Sequence, residues 1–241
     1  MSTFLLFLII WGRMGLCSSF TILFSSMARR VKDIYSNDFE SAADAWENSR
    51  KRPLPALAML LPYSKGDVVL DAGCGNGRNT LVLASYFDKV YGVDLSHKLI
   101  EYAKKRLGEK AELAVGNVVA LPYEREVFDS VFSLAVFHHL DNKIDRMKAF
   151  KEMHRVLKKG GFFLLSVRSK YENKVKGKKV IYTDWLGSSV YNYLYGEAEL
   201  KNFAKKAGFK IVKCFWEKNG REVDKKVSSN LCLILQKVKT K

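Results

Sequence analysis

Three alternate glycines follow a short apolar run and form the segment of the chain that is richest in chemistry. Residues 68–71 read Val-Val-Leu-Asp, and Gly73, Gly75 and Gly77 come directly after them. The apolar run predicts a buried strand, and the glycines predict a tight turn whose backbone a ligand can approach. A second apolar run ends in Asp94, 19 residues after Gly75. Because an acid at that place accepts hydrogen bonds from ribose hydroxyls, the segment predicts a nucleoside site.

The spacing of the glycines argues against a dinucleotide. A dinucleotide fingerprint, G-x-G-x-x-G/A, needs a third small residue where a helix packs on the strand, and the pyrophosphate sits at the N-terminus of that helix. In this chain the third position is Arg78, whose side chain is too large for that contact. The glycine loop therefore does not match a dinucleotide site, and the predicted nucleoside ligand does not require a helix N-terminus that binds a pyrophosphate.

The pattern Asp-x-Gly-x-Gly-x-Gly at 71–77 resembles motif I of the class I S-adenosylmethionine (SAM) methyltransferases. In that family the acid and the glycine loop hold the amino-acid part of SAM, and a residue after the third strand approaches the adenine. The segment 155–161 resembles a turn of the broad methyltransferase type 11 group, so the resemblance extends to that group. The resemblance implies SAM as the cofactor and a set of cofactor-binding residues: Asp71, Gly73, Cys74, Gly75, Gly77, Asp94, Leu95, Asn117, Val118 and Leu134.

Apolar periodicity and breaker residues predict strands that alternate with helices. Helices are expected at 39–50, 57–61, 78–87, 96–107, 143–157 and 196–207, and strands at 68–71, 90–94, 111–115, 127–134, 162–167, 209–215 and 230–237. Residues 158–161 are expected to close the fifth helix as a glycine cap, and 168–189 to form a lysine-rich irregular segment. This alternation predicts an α/β domain with a mainly parallel sheet covered on both faces, and the resemblance implies a Rossmann-like, seven-stranded version.

Charge is the most unusual property of the composition. The 241 residues include 41 Lys and Arg but only 25 Asp and Glu, which gives a formal net charge of +16. Such an excess favours a polyanionic partner, either nucleic acid or a membrane surface, although a solvated lysine surface is the alternative. The four cysteines lack the spacing of a disulfide framework or a zinc site, so we predict no metal site and a reducing, cytoplasmic location.

The N-terminal segment differs in character from the rest of the chain. Residues 4–24 are apolar apart from Arg13 and three hydroxyl-bearing residues, and basic residues follow them. They are long enough to span a bilayer with the following domain in the cytoplasm, but Arg13 would then cost about 2.5–3.5 kcal/mol. A removed signal peptide is a third alternative, although no basic region precedes the apolar stretch. We adopt the interpretation that 1–26 is an extension before a start at Met27, and that 27–241 is the methyltransferase domain.

A narrower resemblance concerns the substrate. The segments that carry it, besides the glycine loop, are 46–50, 53–55, 133–140 and 191–200. They resemble the tRNA wobble-uridine carboxymethyl methyltransferases, which esterify the carboxylate of 5-carboxymethyluridine and work with a small zinc-binding activator subunit. The family has Arg and His where this chain has Val190 and Tyr193. The resemblance implies tRNA as a partner, and a methyltransferase of a small molecule or lipid is the alternative.

Three residues are candidates for the chemistry of methyl transfer. A carboxylate is already a nucleophile, so the protein must mainly hold it close to the methyl group in a dry pocket. Arg50 or Arg168 would orient such an acceptor through a bidentate contact, unless each is a solvated surface charge. His138 follows the fourth predicted strand, at the edge where substrates bind in open α/β sheets. It would act there as a base or, alternatively, form part of the pocket wall.

Aromatic residues beside the last predicted helix have two interpretations. Tyr191, Tyr193, Tyr195 and Trp185 come close together in the sequence. They would stack on an RNA base if they were exposed. If they face the sheet, they belong to the hydrophobic core.

Overall fold

The computed structural model describes residues 39–172, 175, 177–185 and 188–238. Its strands are β1 (Val68–Ala72), β2 (Lys89–Asp94), β3 (Glu112–Val115), β4 (Phe128–Leu134), β5 (Leu157–Arg168), β6 (Val180–Trp185), β7 (Ser188–Tyr193), β8 (Phe209–Lys218), β9 (Arg221–Glu222) and β10 (Asn230–Lys237). Its helices are α1 (Ala43–Ser49), α2 (Pro55–Leu60), α3 (Thr80–Leu83), α4 (His97–Leu107), α5 (Lys143–Val156) and α6 (Glu197–Lys206). The predicted division at residue 26, the start at Met27 and the nature of the apolar segment fall outside the described residues.

Eight strands form the main sheet in the order β3-β2-β1-β4-β5-β10-β8-β9. The pairs β3/β2, β2/β1, β1/β4 and β4/β5 are parallel, whereas β10 runs antiparallel to both of its neighbours. The α/β fold with a mainly parallel sheet is confirmed. The sheet has eight strands rather than the predicted seven, because a two-residue strand, β9, pairs with the edge of β8.

Strand β1 lies at the centre of the sheet and marks the point where the strand order reverses. The chain passes from β1 outward through β2 and β3, and then returns to the other side of β1 as β4. Both faces of β1 are buried: Leu70 and Ala72 belong to one core cluster, and Val69 belongs to a second. In such sheets the crevice beyond the carboxyl ends of the strands, at the reversal, is where ligands bind.

Two local predictions were wrong. Helix α5 ends at Val156, and Leu157 is already extended and begins β5, so residues 158–161 do not form the predicted glycine cap. The reason is that the side chain of Leu157 is fully buried and its backbone pairs with Phe128 of β4. The segment predicted as irregular at 168–189 contains β6 and the first residues of β7, which pair with each other as a separate antiparallel hairpin. Apolar alternation in that hairpin is weak because both strands contain polar residues, among them Thr183, Asp184 and Ser189.

Serine 96 caps helix α4 as its position in the sequence suggests. The Oγ of Ser96 accepts a 3.1 Å hydrogen bond from the backbone N–H of Leu99, which satisfies one of the free donors of the first turn. No helix in the described part of the chain is both long and apolar enough to cross a bilayer.

Candidate active site

The glycine loop is tied to the end of β2 by hydrogen bonds. The backbone N–H groups of Gly73 and Cys74 both donate to the carbonyl oxygen of Val93, at 2.7 and 3.0 Å. The backbone N–H of Gly75 donates to Oδ2 of Asp94 at 2.8 Å. These bonds hold the loop over the carboxyl ends of β1 and β2, where the sequence predicts the nucleoside.

The three glycines of the loop meet different surroundings, although all have positive φ. A Cβ on Gly73 would lie 2.2 Å from Cγ2 of Val136, and one on Gly77 would lie 2.9 Å from Cδ1 of Leu107. A Cβ on Gly75, where φ is +55°, would meet one neighbour within 4 Å, at 3.6 Å. Gly73 and Gly77 therefore allow close packing within the protein, whereas Gly75 leaves room for a ligand against its backbone.

Of the two acids of the predicted nucleoside site, Asp71 is buried at the base of this loop and Asp94 is half-buried. Thr80 donates a 2.7 Å hydrogen bond to Oδ2 of Asp71, and Oδ1 of the same carboxyl is buried without a hydrogen-bond partner among the described residues. Burial raises the pKa of Asp71 to about 6, and burial likewise raises the pKa of Asp94 although backbone N–H groups donate to it. A buried acceptor of this kind is suited to a cationic or hydrogen-bond-donating group of a ligand.

Helix α1 covers one side of the loop. The amide nitrogen of Asn76 donates to Oε2 of Glu47 at 2.6 Å, and Arg106 of helix α4 donates to Oε1 of the same carboxylate at 2.7 Å. A second nitrogen of Arg106 donates to the carbonyl of Asn76 at 2.6 Å. The indole nitrogen of Trp46 is the neighbour that a Cβ on Gly75 would meet.

Sequence reasoning did not single out Glu47, Asn76 or Arg106 as site residues. Glu47 lies inside the segment 46–50 that carries the narrower resemblance, and Asn76 lies inside the glycine loop. The sequence therefore marks both segments, but it does not indicate which residues Glu47 and Asn76 contact. The ion pair with Arg106 joins residues 59 positions apart, and the fold alone brings them together.

Two adjacent histidines, His138 and His139, lie in the 3₁₀ turn that follows β4. Nδ1 of His138 accepts the backbone N–H of Arg168 at 3.3 Å, and Nδ1 of His139 is 2.9 Å from the carbonyl oxygen of Tyr191. Burial lowers the pKa of His138 well below its usual range and that of His139 to about 4, and Arg168 lowers both further. Because its Nδ1 accepts a bond, neutral His138 carries its proton on Nε2 and offers a donor there.

Three arginines converge beside the loop. The guanidinium of Arg50 lies 5.4 Å from the ring centroid of Trp46. Burial lowers the pKa of Arg50, and the positive charge of Arg168 lowers it further. Burial also lowers the pKa of Arg78 to about 10, and here the nearby charge of Arg50 contributes. Arg168 ends β5 and forms an ion pair with Glu172 at 3.3 Å. Of the two arginines that the sequence predicts to orient an acceptor, Arg50 thus lies against Trp46, and Arg168 lies at the end of β5 beside His138.

Besides Asp71, the predicted cofactor residues Cys74, Val118 and Leu134 have buried side chains. The thiol of Cys74 packs against Gly92 of β2, and burial raises its pKa well above the usual range. Val118 and Leu134 are 7% and 4% exposed and belong to the two core clusters. Their side chains therefore support the site from within the hydrophobic core.

Leu95 and Asn117 follow β2 and β3 at the same edge of the sheet. The backbone N–H of Leu95 is one of the groups that donate to Asp94. Oδ1 of Asn117 accepts the backbone N–H of Val119 at 3.1 Å, so its side chain stabilises the local turn. The structure brings both residues to the carboxyl edge where β1 and β2 end.

The aromatic residues divide between the core and the surface. Tyr193 and Tyr195 are 7% and 0% exposed, and the hydroxyl of Tyr195 donates to the carbonyl of Phe137 at 3.0 Å. The interpretation of these two as RNA-stacking groups is therefore wrong, because the sheet buries them. Tyr191 is half-buried, and the side chain of Trp185 lies outside the described residues.

Comparison with known proteins identifies the family. The methyltransferase domain family matches residues 70–165. A protein of Encephalitozoon cuniculi named as a methyltransferase is 37% identical over 161 residues, which cover 62% of this chain and 73% of that protein. The chain belongs to this methyltransferase family. SAM is the methyl donor of the family, and the glycine loop, the space against Gly75 and the unpartnered oxygen of Asp71 fit such a cofactor.

Two further similarities concern the substrate and the fold. A tRNA (carboxymethyluridine(34)-5-O)-methyltransferase of Arabidopsis thaliana is 38% identical over 130 residues, 54% of this chain and 31% of that protein. The chain thus spans about a third of the length of this relative. A Haloferax volcanii methyltransferase, solved in complex with the Trm112 methyltransferase activator, superposes with a TM-score of 0.69 at 20% identity over 86% of this chain and 99% of that one. It shares the fold.

Proposed function

We propose that this chain transfers a methyl group from SAM to the carboxylate of a 5-carboxymethyl wobble uridine in tRNA. The observation that carries the proposal is the position of two cations near the site: Arg50 lies over Trp46, the neighbour of Gly75, and Arg168 ends β5 beside His138. Guanidinium groups bind a carboxylate through charge-assisted, bidentate hydrogen bonds, so two such groups near the site favour an anionic acceptor. The Arabidopsis relative, which is named for this reaction, agrees with an acceptor that is a carboxylate.

The cofactor would lie along the carboxyl ends of β1 and β2. When bound, it supplies a methyl group on a positively charged sulfur. Asp94 would accept hydrogen bonds from the ribose hydroxyls, since each carboxylate oxygen accepts a second bond besides those from Gly75 and Ser96. Asp71 would face the amino-acid part, and Asn117 would lie near the adenine.

The reaction itself asks little acid–base chemistry of the protein. An oxygen of the acceptor carboxylate would form a bond to the donated methyl carbon while the carbon–sulfur bond broke, and the electron pair of that bond would stay on sulfur. The products are a methyl ester and S-adenosylhomocysteine, and no proton moves. Arg50 and Arg168 would orient the carboxylate, and the neutral His138 would donate from Nε2 or form the wall of the pocket. A buried, neutral His138 with a lowered pKa is a weak base, which suits an acceptor that needs none.

The two departures from the tRNA methyltransferase pattern have buried side chains. Val190 and Tyr193 are 2% and 7% exposed, and the hydroxyl of Tyr193 donates to Glu199 at 2.7 Å. Their side chains pack in the protein interior, so the differences from the family at these positions affect packing. This removes one objection to the carboxymethyl acceptor.

A second subunit is part of the proposal. The Haloferax volcanii neighbour was solved with a methyltransferase activator. By analogy we expect a small zinc-binding activator to bind this chain, and we expect the complex to act in the cytoplasm. Copurification of a small subunit from the native host, with zinc measured in it, tests this expectation.

Nucleoside mass spectrometry of tRNA tests the proposed reaction. In cells that lack this chain we expect 5-carboxymethyluridine to accumulate and its methyl ester to disappear. Re-expression of the chain should restore the ester, whereas the Asp94→Ala variant should not. If labelled methyl groups enter lipids or small molecules but never tRNA, with or without the activator, the proposal is wrong and the small-molecule alternative replaces it.

A further inference from the structure

Two lysines from different loops converge on one tyrosine ring at the edge of the site. The ammonium of Lys170, just after β5, lies 5.2 Å from the ring centroid of Tyr171, and that of Lys225, shortly before β10, lies 5.7 Å from it. Both lysines are exposed, and the tyrosine is half-buried. We name Lys170, Tyr171 and Lys225 the lysine–tyrosine patch.

The backbone beneath the patch is fixed by hydrogen bonds. The N–H of Ser169 donates to the carbonyl of Ser229 at 3.0 Å, and the hydroxyls of Ser228 and Ser169 are hydrogen-bonded at 3.1 Å. The N–H of Lys170 donates to the carbonyl of Tyr195 at 3.1 Å. Ser169 and Ser228 are fully buried. The two loops therefore present the patch in one arrangement, which lowers the ordering cost of binding.

Charge near the patch is positive. Lys170 and Lys225 form no ion pair within the described part of the chain. The nearby acids have other partners: Glu172 pairs with Arg168, and Oδ1 of Asp224 accepts the backbone N–H of Lys226 at 2.8 Å. Two ammonium groups held against one ring repel each other, so a polyanion that contacts both is favoured.

The position of the patch relates it to the acceptor. It follows directly after Arg168, the last residue of β5, which we propose to orient the acceptor carboxylate. Antiparallel pairing of Asn230 with Arg168 brings the start of β10, and hence Lys225, to the same carboxyl edge of β5. A ligand that reaches the arginines and is longer than one nucleotide would therefore extend across the patch.

We infer that the lysine–tyrosine patch binds the RNA strand next to the methylated nucleotide, the lysines through phosphates and Tyr171 through the face of a neighbouring base. This inference rests on the proposed function. Lysine contacts to phosphate give affinity that is independent of sequence and weakens with salt. A tyrosine face stacks on any base, and flanking cations add phosphate contacts to that stacking.

The test is binding of the full chain to tRNA, measured by fluorescence anisotropy over a range of salt concentrations. We expect Lys170→Glu/Lys225→Glu to weaken binding by at least about tenfold and to reduce the log–log salt slope by about 1.5, the value for two phosphates. Tyr171→Ala should weaken binding by about tenfold with an unchanged slope, and Tyr171→Phe should retain affinity. Binding of S-adenosylhomocysteine should not change in any of these variants.

The control is Lys159→Glu/Lys210→Glu, which makes the same charge change with two exposed lysines at the opposite edge of the sheet. If both double variants weaken tRNA binding equally, the effect is one of net charge and the inference is wrong. It is also wrong if the patch variants lose binding to vesicles of anionic phospholipid but keep tRNA binding. If the unaltered protein methylates tRNA and the patch variants bind it normally, the inference fails and the proposed function stands. If the unaltered protein neither binds nor methylates tRNA, both fail.

Discussion

The backbone N–H of Gly75 donates to the side chain of Asp94 across 2.8 Å, and this bond joins the loop after β1 to the end of β2. The other oxygen of Asp94 accepts the backbone N–H of Ser96 at 3.0 Å. Asp94 therefore anchors the loop that would hold the cofactor. In the proposed site it would also contact the cofactor directly. Loss of its carboxylate should affect binding through both routes.

We expect Asp94→Ala to weaken binding of S-adenosylhomocysteine by more than about tenfold. Removing charge-assisted hydrogen bonds to ribose costs about 1.5–3 kcal/mol, and the loop loses its own anchor. Isothermal titration calorimetry measures the change, with the exposed Asp88→Ala as a control outside the site. Equal affinity of Asp94→Ala and the unaltered protein would exclude Asp94 from the cofactor site.

The pH dependence of stability should report the buried Asp71. Burial raises its pKa in the folded protein to about 6. The carboxyl of the unfolded chain has a pKa of about 3.9, so the folded state holds the proton more tightly and loses stability as the pH rises from about 4 to about 6.

Asp71→Asn removes this ionisation and keeps an acceptor for Thr80. We expect the stability advantage of the variant to grow over that pH range and then to level off, at up to about 3 kcal/mol. Urea unfolding at several pH values measures it. An advantage that stays constant with pH would contradict a raised pKa. Binding of S-adenosylhomocysteine should weaken in the same variant, because a buried negative charge is lost.

Substitution of two neighbouring glycines should separate folding from binding. Gly75→Ala should fold, at a cost of about 1–2 kcal/mol for the positive φ, and should bind S-adenosylhomocysteine much less tightly because the new methyl group occupies ligand space. Gly73→Ala has the same backbone problem and adds a clash with Val136, so it should be less stable by a further ~1–3 kcal/mol. Thermal unfolding and calorimetry on both variants make the comparison. Full affinity in folded Gly75→Ala would show that the loop does not line the cofactor.

The two arginines should affect turnover more than tRNA binding. Arg50→Ala and Arg168→Ala each remove one donor fork from the acceptor carboxylate, and loss of an orienting charge-assisted contact costs about 1.5–3 kcal/mol in rate, or about 10- to 150-fold. Single-turnover assays at saturating tRNA measure this step. Arg50→Lys should recover the rate only in part, because an ammonium cannot form the bidentate contact. The exposed Arg125→Ala, at the opposite edge of the sheet, is the control; a decrease in rate as large as that of Arg50→Ala would argue against the proposed orientation.

The sequence by itself determined the strands and glycines at the centre of the molecule. Residues 68–77 combine an apolar run with glycines whose conformations other residues rarely adopt, so local chemistry leaves few alternatives there. The acid at Asp94 followed from the same pattern. The predicted bounds of β1, β2, β4 and α4 are close to the observed ones. The reason is that local sequence features mark them: apolar runs for the strands and the capping Ser96 for the helix.

Tertiary structure decided what depends on residues far apart in the chain. Leu157 became strand because it is buried against β4, and the tyrosines 193 and 195 entered the core because the sheet covers them. The Glu47–Arg106 ion pair and the convergence of Lys170 and Lys225 on Tyr171 each join segments whose contact the sequence does not indicate. Their energies come from burial and from charges that meet only after the chain has folded, so only the folded structure determines which residues share a site.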